Sequence, residues 1–234
     1  MASTGQSPRT FSPASHDRLT PHDLGRFEGE GLFDRLGRAV CEARCLPRKE
    51  LFEAWETARR IRRRFRGGRV VDLGGGHGLL AHVLLLLDDS SPSALVVDRR
   101  PPPSAATLHE TLAATWPRLR DRVTFLPQDM AHVGLFPADV VVAAHACGHL
   151  TDVVLARAVA AGAAVAVLPC CHDAQASDDG GLGGWMDSAL AIDATRAHRL
   201  RQAGYRIWTQ YIPGTITPKN RLLLGRPLHA AGEA

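Results

Sequence analysis

Two short segments of the sequence bring thiols, imidazoles and carboxylates close enough together to do chemistry. The first reads HACGHLTD over residues 145–152, and the second reads VLPCCHD over residues 167–173. Each follows an apolar run typical of a buried strand, so each would form a loop at the end of a strand. Such side chains could bind a metal ion, attack a substrate as thiolates, or line a pocket in which a histidine exchanges a proton.

A glycine-rich segment follows the first predicted strand and would bring a ligand to the same edge of the fold. It reads VVDLGGGHGLLA over residues 70–81 and joins a strand to a helix. Glycines let the backbone approach a ligand, and a helix N-terminus favours negative charge. Residues 76–81 match the loose dinucleotide pattern G-x-G-x-x-A. Residues 72–78 resemble the D-x-G-x-G-x-G loop of S-adenosylmethionine-dependent methyltransferases.

Acidic residues at the next two predicted strand ends favour S-adenosylmethionine. Asp98 could accept hydrogen bonds from both ribose hydroxyls of either cofactor. Asp129 would suit the adenine amine of S-adenosylmethionine, and it has no standard role with a nicotinamide cofactor. Arg99 and Arg100 keep an NADP-dependent oxidoreductase as an alternative. The residues expected to bind S-adenosylmethionine are Asp72, Gly74, Gly76, Gly78, Asp98, Asp129 and His145.

The order of elements predicts an α/β fold. The β-rich runs span residues 69–73, 94–98, 122–126, 139–144 and 163–168, with helical stretches between them. This alternation is typical of a Rossmann-like, doubly wound parallel sheet. Two further strands, 204–212 and 220–225, have a connector too short for a crossover helix, so they should form an antiparallel hairpin. We therefore expect about seven strands, preceded by N-terminal helices.

The chain of 234 residues is long enough for one domain with a substantial core. Residues 1–25 are rich in Ser, Thr, Pro, His and Gly, and we predict that they form a mobile tail that contributes little to the core. Residues 26–66 should form a helical segment. Residues 67–228 should form the cofactor-binding domain, which the motifs indicate to be a methyltransferase domain.

Charge and cysteine content indicate the cellular environment of the protein and the classes of partner that it could bind. The net charge is +4, and seven arginines crowd residues 59–69, where their field would suit phosphates. The five cysteines are odd in number, and the N-terminus lacks the organisation of a signal peptide. We expect a reducing, cytoplasmic environment and no membrane insertion, because the apolar runs are too short to span a bilayer.

Both chemistry-bearing segments resemble those of a known family. Methyltransferase-like proteins carry HxCGxxTD after the fourth strand and PCCH or PCCY after the fifth, which here are residues 145–152 and 169–172. The resemblance covers about residues 48–226, and the family includes an enzyme that methylates a ribose 2′-hydroxyl in the tRNA acceptor stem. It implies a class I methyltransferase for which RNA is the leading substrate class. The zinc-binding modules of the tRNA enzyme are missing here, so a protein or small-molecule acceptor stays open.

Three roles are open for the thiols. We expect no metal, because adjacent Cys170 and Cys171 would tend to point in different directions and no C-x-x-C spacing exists. Cys147 and Cys170 could act as in RNA cytosine-C5 methyltransferases, activated by a nearby histidine. The favoured role is a pocket wall beside a histidine that accepts a proton from an oxygen or nitrogen acceptor. The candidate catalytic residues are His145, Cys147, Cys170 and His172.

The predicted final hairpin offers a substrate-binding segment. It reads TPKNR over residues 217–221, and the resemblance extends to it. Lys219, Asn220 and Arg221 could bind a phosphate or carboxylate of the substrate. We therefore expect a methyltransferase that acts on an oxygen or nitrogen acceptor, with a non-catalytic cofactor-binding or RNA-binding adaptor as a further alternative.

Overall fold

The structure, a computed structural model, describes residues 11–228 of the chain. Its strands are β1 Val70–Leu73, β2 Ala94–Asp98, β3 Val123–Pro127, β4 Val140–Ala143, β5 Ala164–Val167, β6 Tyr205–Tyr211 and β7 Arg221–Pro227. Its α-helices are α1 Leu32–Ala43, α2 Arg48–Arg62, α3 Leu79–Leu87, α4 Ser104–Thr115, α5 Leu150–Ala161 and α6 Ser188–Gln202. Within residues 11–228, none of the helices has both the length and the apolar character needed to cross a bilayer.

The strands form one sheet in the order β3-β2-β1-β4-β5-β7-β6. The first five are parallel, and β7 runs antiparallel to both β5 and β6. This confirms the predicted Rossmann-like fold with its C-terminal antiparallel hairpin. The strand order reverses between β1 and β4, and a crevice at the carboxyl ends of such a pair is where doubly wound sheets bind ligands.

The central strands are buried on both faces, which explains their continuous apolar sequences. All four residues of β1, of β4 and of β5 are buried. Val140 and Val142 face the core formed with α1 to α4, whereas Val141 and Ala143 face the core formed with α5 and α6. Two helical layers therefore hold the sheet rigidly and leave its carboxyl edge for function.

Residues 11–25 pack against the domain, so the prediction of a mobile tail is wrong for this part of the chain. Leu19 is completely buried, and its backbone N–H donates to the carbonyl of Leu46 at 3.0 Å. The Phe11 ring packs edge-on against Phe27 with 5.8 Å between centroids. Irregularly spaced apolar residues gave no periodic signal, because tertiary contacts alone bury them. The rest of the predicted tail, residues 1–10, lies outside the described residues.

The arginine cluster is largely engaged in contacts within the protein. Arg62 is buried and contacts Asp88 at 3.3 Å, and Arg69 forms two hydrogen bonds with Asp139, at 3.0 and 2.7 Å. Arg69 and Asp139 immediately precede β1 and β4, so this pair lies at the amino edge of the sheet, away from the crevice. Much of the field expected from the cluster is therefore balanced by nearby carboxylates and lies far from the ligand-binding edge.

Truncation of Leu19 tests the packing of the N-terminal segment. Leu19→Ala should lower the free energy of unfolding by about 2–4 kcal/mol, because it leaves a cavity in a closed core. Urea denaturation followed by circular dichroism measures this. Leu228→Ala is a suitable control, since that side chain is 62% exposed and its loss should change stability by less than about 0.5 kcal/mol. Equal stability of the two variants would show that residues 11–25 do not pack as described.

Candidate active site

The turn between β1 and α3 passes so close to β2 that two of its positions require glycine. A Cβ atom on Gly75 would lie 2.7 Å from a methyl group of Val96, and one on Gly78 would lie 2.8 Å from the other methyl group. Gly78 also has a φ of 75°, which side chains rarely adopt. The N–H groups of Gly74 and Gly75 donate to the Val97 carbonyl at 2.8 and 3.2 Å and anchor the turn to β2.

Asp72 is a buried carboxyl group with an unpaired oxygen at the base of this turn. Its side chain is 1% exposed, and its Oδ2 atom has no hydrogen-bond partner among the described residues. Burial raises the pKa of Asp72 to about 7, although a backbone hydrogen bond from Ala81 acts in the opposite direction. A ligand that brought a donor or a positive charge to this point would relieve the cost of the buried charge.

The acids after β2 and β3 lie on the same edge. Asp98 accepts hydrogen bonds from the N–H groups of Gly76 at 3.2 Å and Arg100 at 2.9 Å. Asp129 accepts from the N–H of Ala131 at 2.9 Å and from the guanidinium of Arg99 at 3.0 Å, and these contacts lower the pKa of Asp129. Asp129 thus caps the short 3₁₀-helix Met130–His132, whereas its binding of adenine stays a prediction.

Two adjoining hollows form a cleft at the switch point, and Gly74 and His145 line both. The first hollow also contacts Asp72, and the second also contacts Asp98 and Asp129. Five residues predicted to bind a cofactor therefore meet in one cleft, and Gly76 and Gly78 shape the turn that borders it. The glycine-rich turn, the buried Asp72 and the carboxylate of Asp98, which can accept hydrogen bonds from ribose hydroxyls, together suit an adenosine-containing cofactor.

Helix α2 contributes two carboxylates to this region that the sequence patterns did not reveal. Glu50 lines the first hollow, and burial raises its pKa. Glu53 is 3% exposed; its Oε1 accepts from Lys49 at 2.5 Å, and its Oε2 has no partner among the described residues. One feature of the sequence could have revealed Glu53. It lies on the same face of helix α2 as the buried residues Leu51 and Ala54.

His145 lies where the two hollows join, with its side chain exposed to the cleft. The surrounding protein disfavours the charged imidazole and lowers the pKa of His145, whereas the carboxylate of Glu53 acts in the opposite direction. The lowered pKa leaves a neutral ring at neutral pH, and a neutral imidazole can accept a proton. Its geometry thus suits the predicted acid-base role, which stays a prediction.

The thiols of the two loops converge, contrary to the expectation that Cys170 and Cys171 point apart. The sulfur atoms of Cys147 and Cys170 are 2.7 Å apart, and those of Cys147, Cys170 and Cys171 all lie within 4.8 Å of one another. A hydrogen bond of 3.0 Å from the N–H of Gly148 to the Cys171 carbonyl joins the loops. We call these three residues the thiol cluster. Burial raises the pKa of Cys147 and of Cys170, which disfavours thiolate nucleophiles.

His172 and Arg221, which were predicted to act in catalysis and substrate binding, are both engaged with Asp193. His172 Nε2 lies 2.8 Å from Asp193 Oδ1, and Arg221 donates to Asp193 Oδ2 at 2.7 Å. These contacts lower the pKa of Asp193, against the effect of its own burial. Neither residue lines the cleft that contains Asp98. The arrangement favours a structural role, because both side chains are already paired.

The other two predicted substrate-binding residues separate in role. Asn220 donates to the carbonyl of Ile212 at 3.0 Å and thereby closes the turn between β6 and β7. Lys219 is exposed and lies close enough to Cys147 for its charge to favour the thiolate of that residue. Lys219 is therefore the member of this segment that is free to meet a ligand.

Comparisons with known proteins agree with the fold. Residues 50–177 match the family described as a methyltransferase domain. An O-methyltransferase family protein from Burkholderia thailandensis superposes with a TM-score of 0.50 and 18% identity, covering 92% of this chain and 64% of that protein, so this chain spans less than two thirds of that relative. A candidate O-methyltransferase from Nostoc punctiforme gives a TM-score of 0.52 and 14% identity, covering 88% and 70%. No curated protein sequence matches.

Replacement of Asp72 by asparagine tests its buried charge. Because the folded pKa lies near 7 and the ordinary value is 3.8, ionisation above pH 4 costs folding free energy, and wild-type stability should fall as the pH rises to about 7. Asp72→Asn removes this loss and should exceed wild-type stability at pH 8 by about 1–3 kcal/mol. The advantage should shrink toward pH 4.

Thermal or urea unfolding between pH 4 and pH 8 measures this difference. Asp121→Asn, at an exposed turn, is the matched control and should follow the wild type throughout. A constant difference between Asp72→Asn and wild type over the whole pH range would contradict the buried ionisation.

Proposed function

Since this chain belongs to the methyltransferase domain family, we propose that it transfers a methyl group from S-adenosylmethionine to an oxygen or nitrogen acceptor held beside His145. The dependence on S-adenosylmethionine follows from the family. The observation that carries the acceptor chemistry is the position of His145, an exposed imidazole at the junction of both hollows of the cleft. Because the family implies S-adenosylmethionine as the cofactor, we set aside the NADP-dependent oxidoreductase.

The residues of the cleft fit the cofactor. Asp98 has carboxylate lone pairs for ribose hydroxyls, and the glycine turn leaves room beside Gly74. The unpaired oxygen of Asp72 favours positive charge nearby. When bound, S-adenosylmethionine supplies an activated methyl group on a cationic sulfonium, so the protein has chiefly to align the acceptor and exclude water.

We assign the proton transfer to His145. A hydroxyl or amine acceptor must lose a proton as it forms the bond to the methyl group, and the neutral ring of His145 can take it. The charge of the buried Glu53 side chain then favours the protonated imidazole, against the opposing charge of Lys49. Glu53 is a positioning residue in this account, because it acts through His145.

RNA is the acceptor class that the sequence resemblance supports. Among the described residues, Arg100 and Lys219 are exposed cations near the cleft that could bind its phosphates, whereas the exposed Arg99 is paired with Asp129. The arginine cluster is less suitable, since much of it is paired at the opposite edge of the sheet. Cytosine-C5 chemistry has less support than proton transfer by His145, because the pKa of both Cys147 and Cys170 is raised.

Transfer of labelled methyl groups tests this proposal. The protein and labelled S-adenosylmethionine are incubated with separated pools of RNA, protein and small metabolites, and one pool should acquire label. At saturating S-adenosylmethionine, His145→Ala should lower the rate by about 10²-fold or more. His149→Ala is the matched control, because His149 is an exposed histidine of the same loop that does not line the cleft.

The pH dependence gives a second readout of the same assay. The rate should fall in acid, with a midpoint below the ordinary histidine value of about 6.5, because the pKa of His145 is lowered. Full activity of His145→Ala would exclude the proton-transfer role. Cofactor binding without transfer to any pool would favour the adaptor alternative.

A further inference from the structure

The thiol cluster combines three features that a pocket wall does not require. Its three sulfur atoms converge within 4.8 Å, although they come from loops after two different strands. All three cysteines are free, and Cys147 and Cys171 are exposed. The loops are also tied together by the hydrogen bond between Gly148 and Cys171, so the convergence is built into the backbone.

We propose that Cys147, Cys170 and Cys171 form a binding site for a thiophilic divalent metal ion, with Zn²⁺ as the expected ion. Thiolates are the ligands that Zn²⁺ prefers, and three protein ligands leave a fourth tetrahedral position for water or another small group. This revises the sequence-based expectation of no metal. That expectation relied on adjacent cysteines pointing apart, and the loop conformation instead brings both sulfurs together with Cys147.

The distances suit metal binding after a small adjustment. Zn–S bonds of about 2.3 Å in tetrahedral geometry place the sulfurs about 3.8 Å apart. The closest pair, Cys147 and Cys170, stands at 2.7 Å and must open by about 1 Å, which side-chain rotation can provide. The Cys171 sulfur lies within 4.8 Å of both.

Electrostatics favours a cation at the same point. Three thiolates within 4.8 Å of one another would repel, because like charges so close together disfavour joint ionisation. A divalent ion among the sulfurs would cancel this repulsion and release the thiol protons. Three thiolates and one Zn²⁺ carry a net charge of −1, which the nearby ammonium group of Lys219 would partly balance.

A disulfide bond explains the positions of the three cysteines less completely than a metal site does. A bond between Cys147 and Cys170 would need a sulfur separation of about 2.05 Å, and it would leave Cys171 without a reason to join the cluster. A metal site uses all three residues. The inference also stands apart from the proposed methyl transfer, because it concerns only the thiols and makes no use of the cleft residues.

Titration of the reduced, full-length protein with Co²⁺ tests the site. After treatment with a chelator, wild type should bind one Co²⁺ per chain with the charge-transfer absorption of cobalt–thiolate bonds, and Zn²⁺ should abolish this absorption by displacement. Cys147→Ser, Cys170→Ser and Cys171→Ser should each weaken Co²⁺ binding by at least about tenfold. The triple variant should lose the absorption altogether.

Cys45→Ala provides the matched control, since Cys45 is buried outside the cluster and its loss should leave the absorption unchanged. Circular dichroism establishes that each variant is folded. The proposal would be overturned by reduced wild type that shows no charge-transfer absorption, or by absorption that persists in the triple variant. A Cys147–Cys170 disulfide found by mass spectrometry, in protein that binds no Co²⁺ after reduction, would also overturn it.

Discussion

The site depends on how closely the turn after β1 passes over β2. Hydrogen bonds from Gly74 and Gly75 hold the turn on the Val97 carbonyl, and only glycine leaves room for the side chain of Val96 beneath it. This close contact places the N–H of Gly76 against Asp98 and leaves Asp72 buried at the base of the turn. One packing contact thus positions both Asp98, which would bind the ribose, and Asp72, which lies at the base of the turn.

In and beside the cleft, buried carboxyl groups have hydrogen-bonding capacity that the described residues do not satisfy. Asp72 and Glu53 each have a buried oxygen without a partner among the described residues, and burial raises the pKa of Asp72 and of Glu50. Such groups cost folding free energy in the absence of a ligand. A cationic sulfonium cofactor would remove part of this unfavourable free energy when it binds. Burial of these carboxyl groups therefore lowers the stability of the free protein but favours cofactor binding.

The strands, helices and glycine turn could be predicted from sequence because their signals are local. Apolar runs and punctuating glycines marked β2 to the residue, and the short connector marked the final hairpin. Other features escaped because they depend on contacts between distant segments. Glu53 acts on His145 from a helix far upstream, and the cysteines converge through loop conformations that residue spacing does not encode. Leu19 is likewise buried by tertiary packing alone.

The central claim is that the cleft at the β1–β4 switch point binds an adenosine-containing methyl donor through Asp98. Calorimetric titration with S-adenosylhomocysteine, the product of methyl transfer, tests it most directly. Wild type should bind, and Asp98→Ala should lose about 10- to 100-fold in affinity, because charged hydrogen bonds to the ribose are removed. Asp121→Ala should bind as the wild type does. Absence of binding by wild type, or equal affinity of Asp98→Ala, would contradict the account.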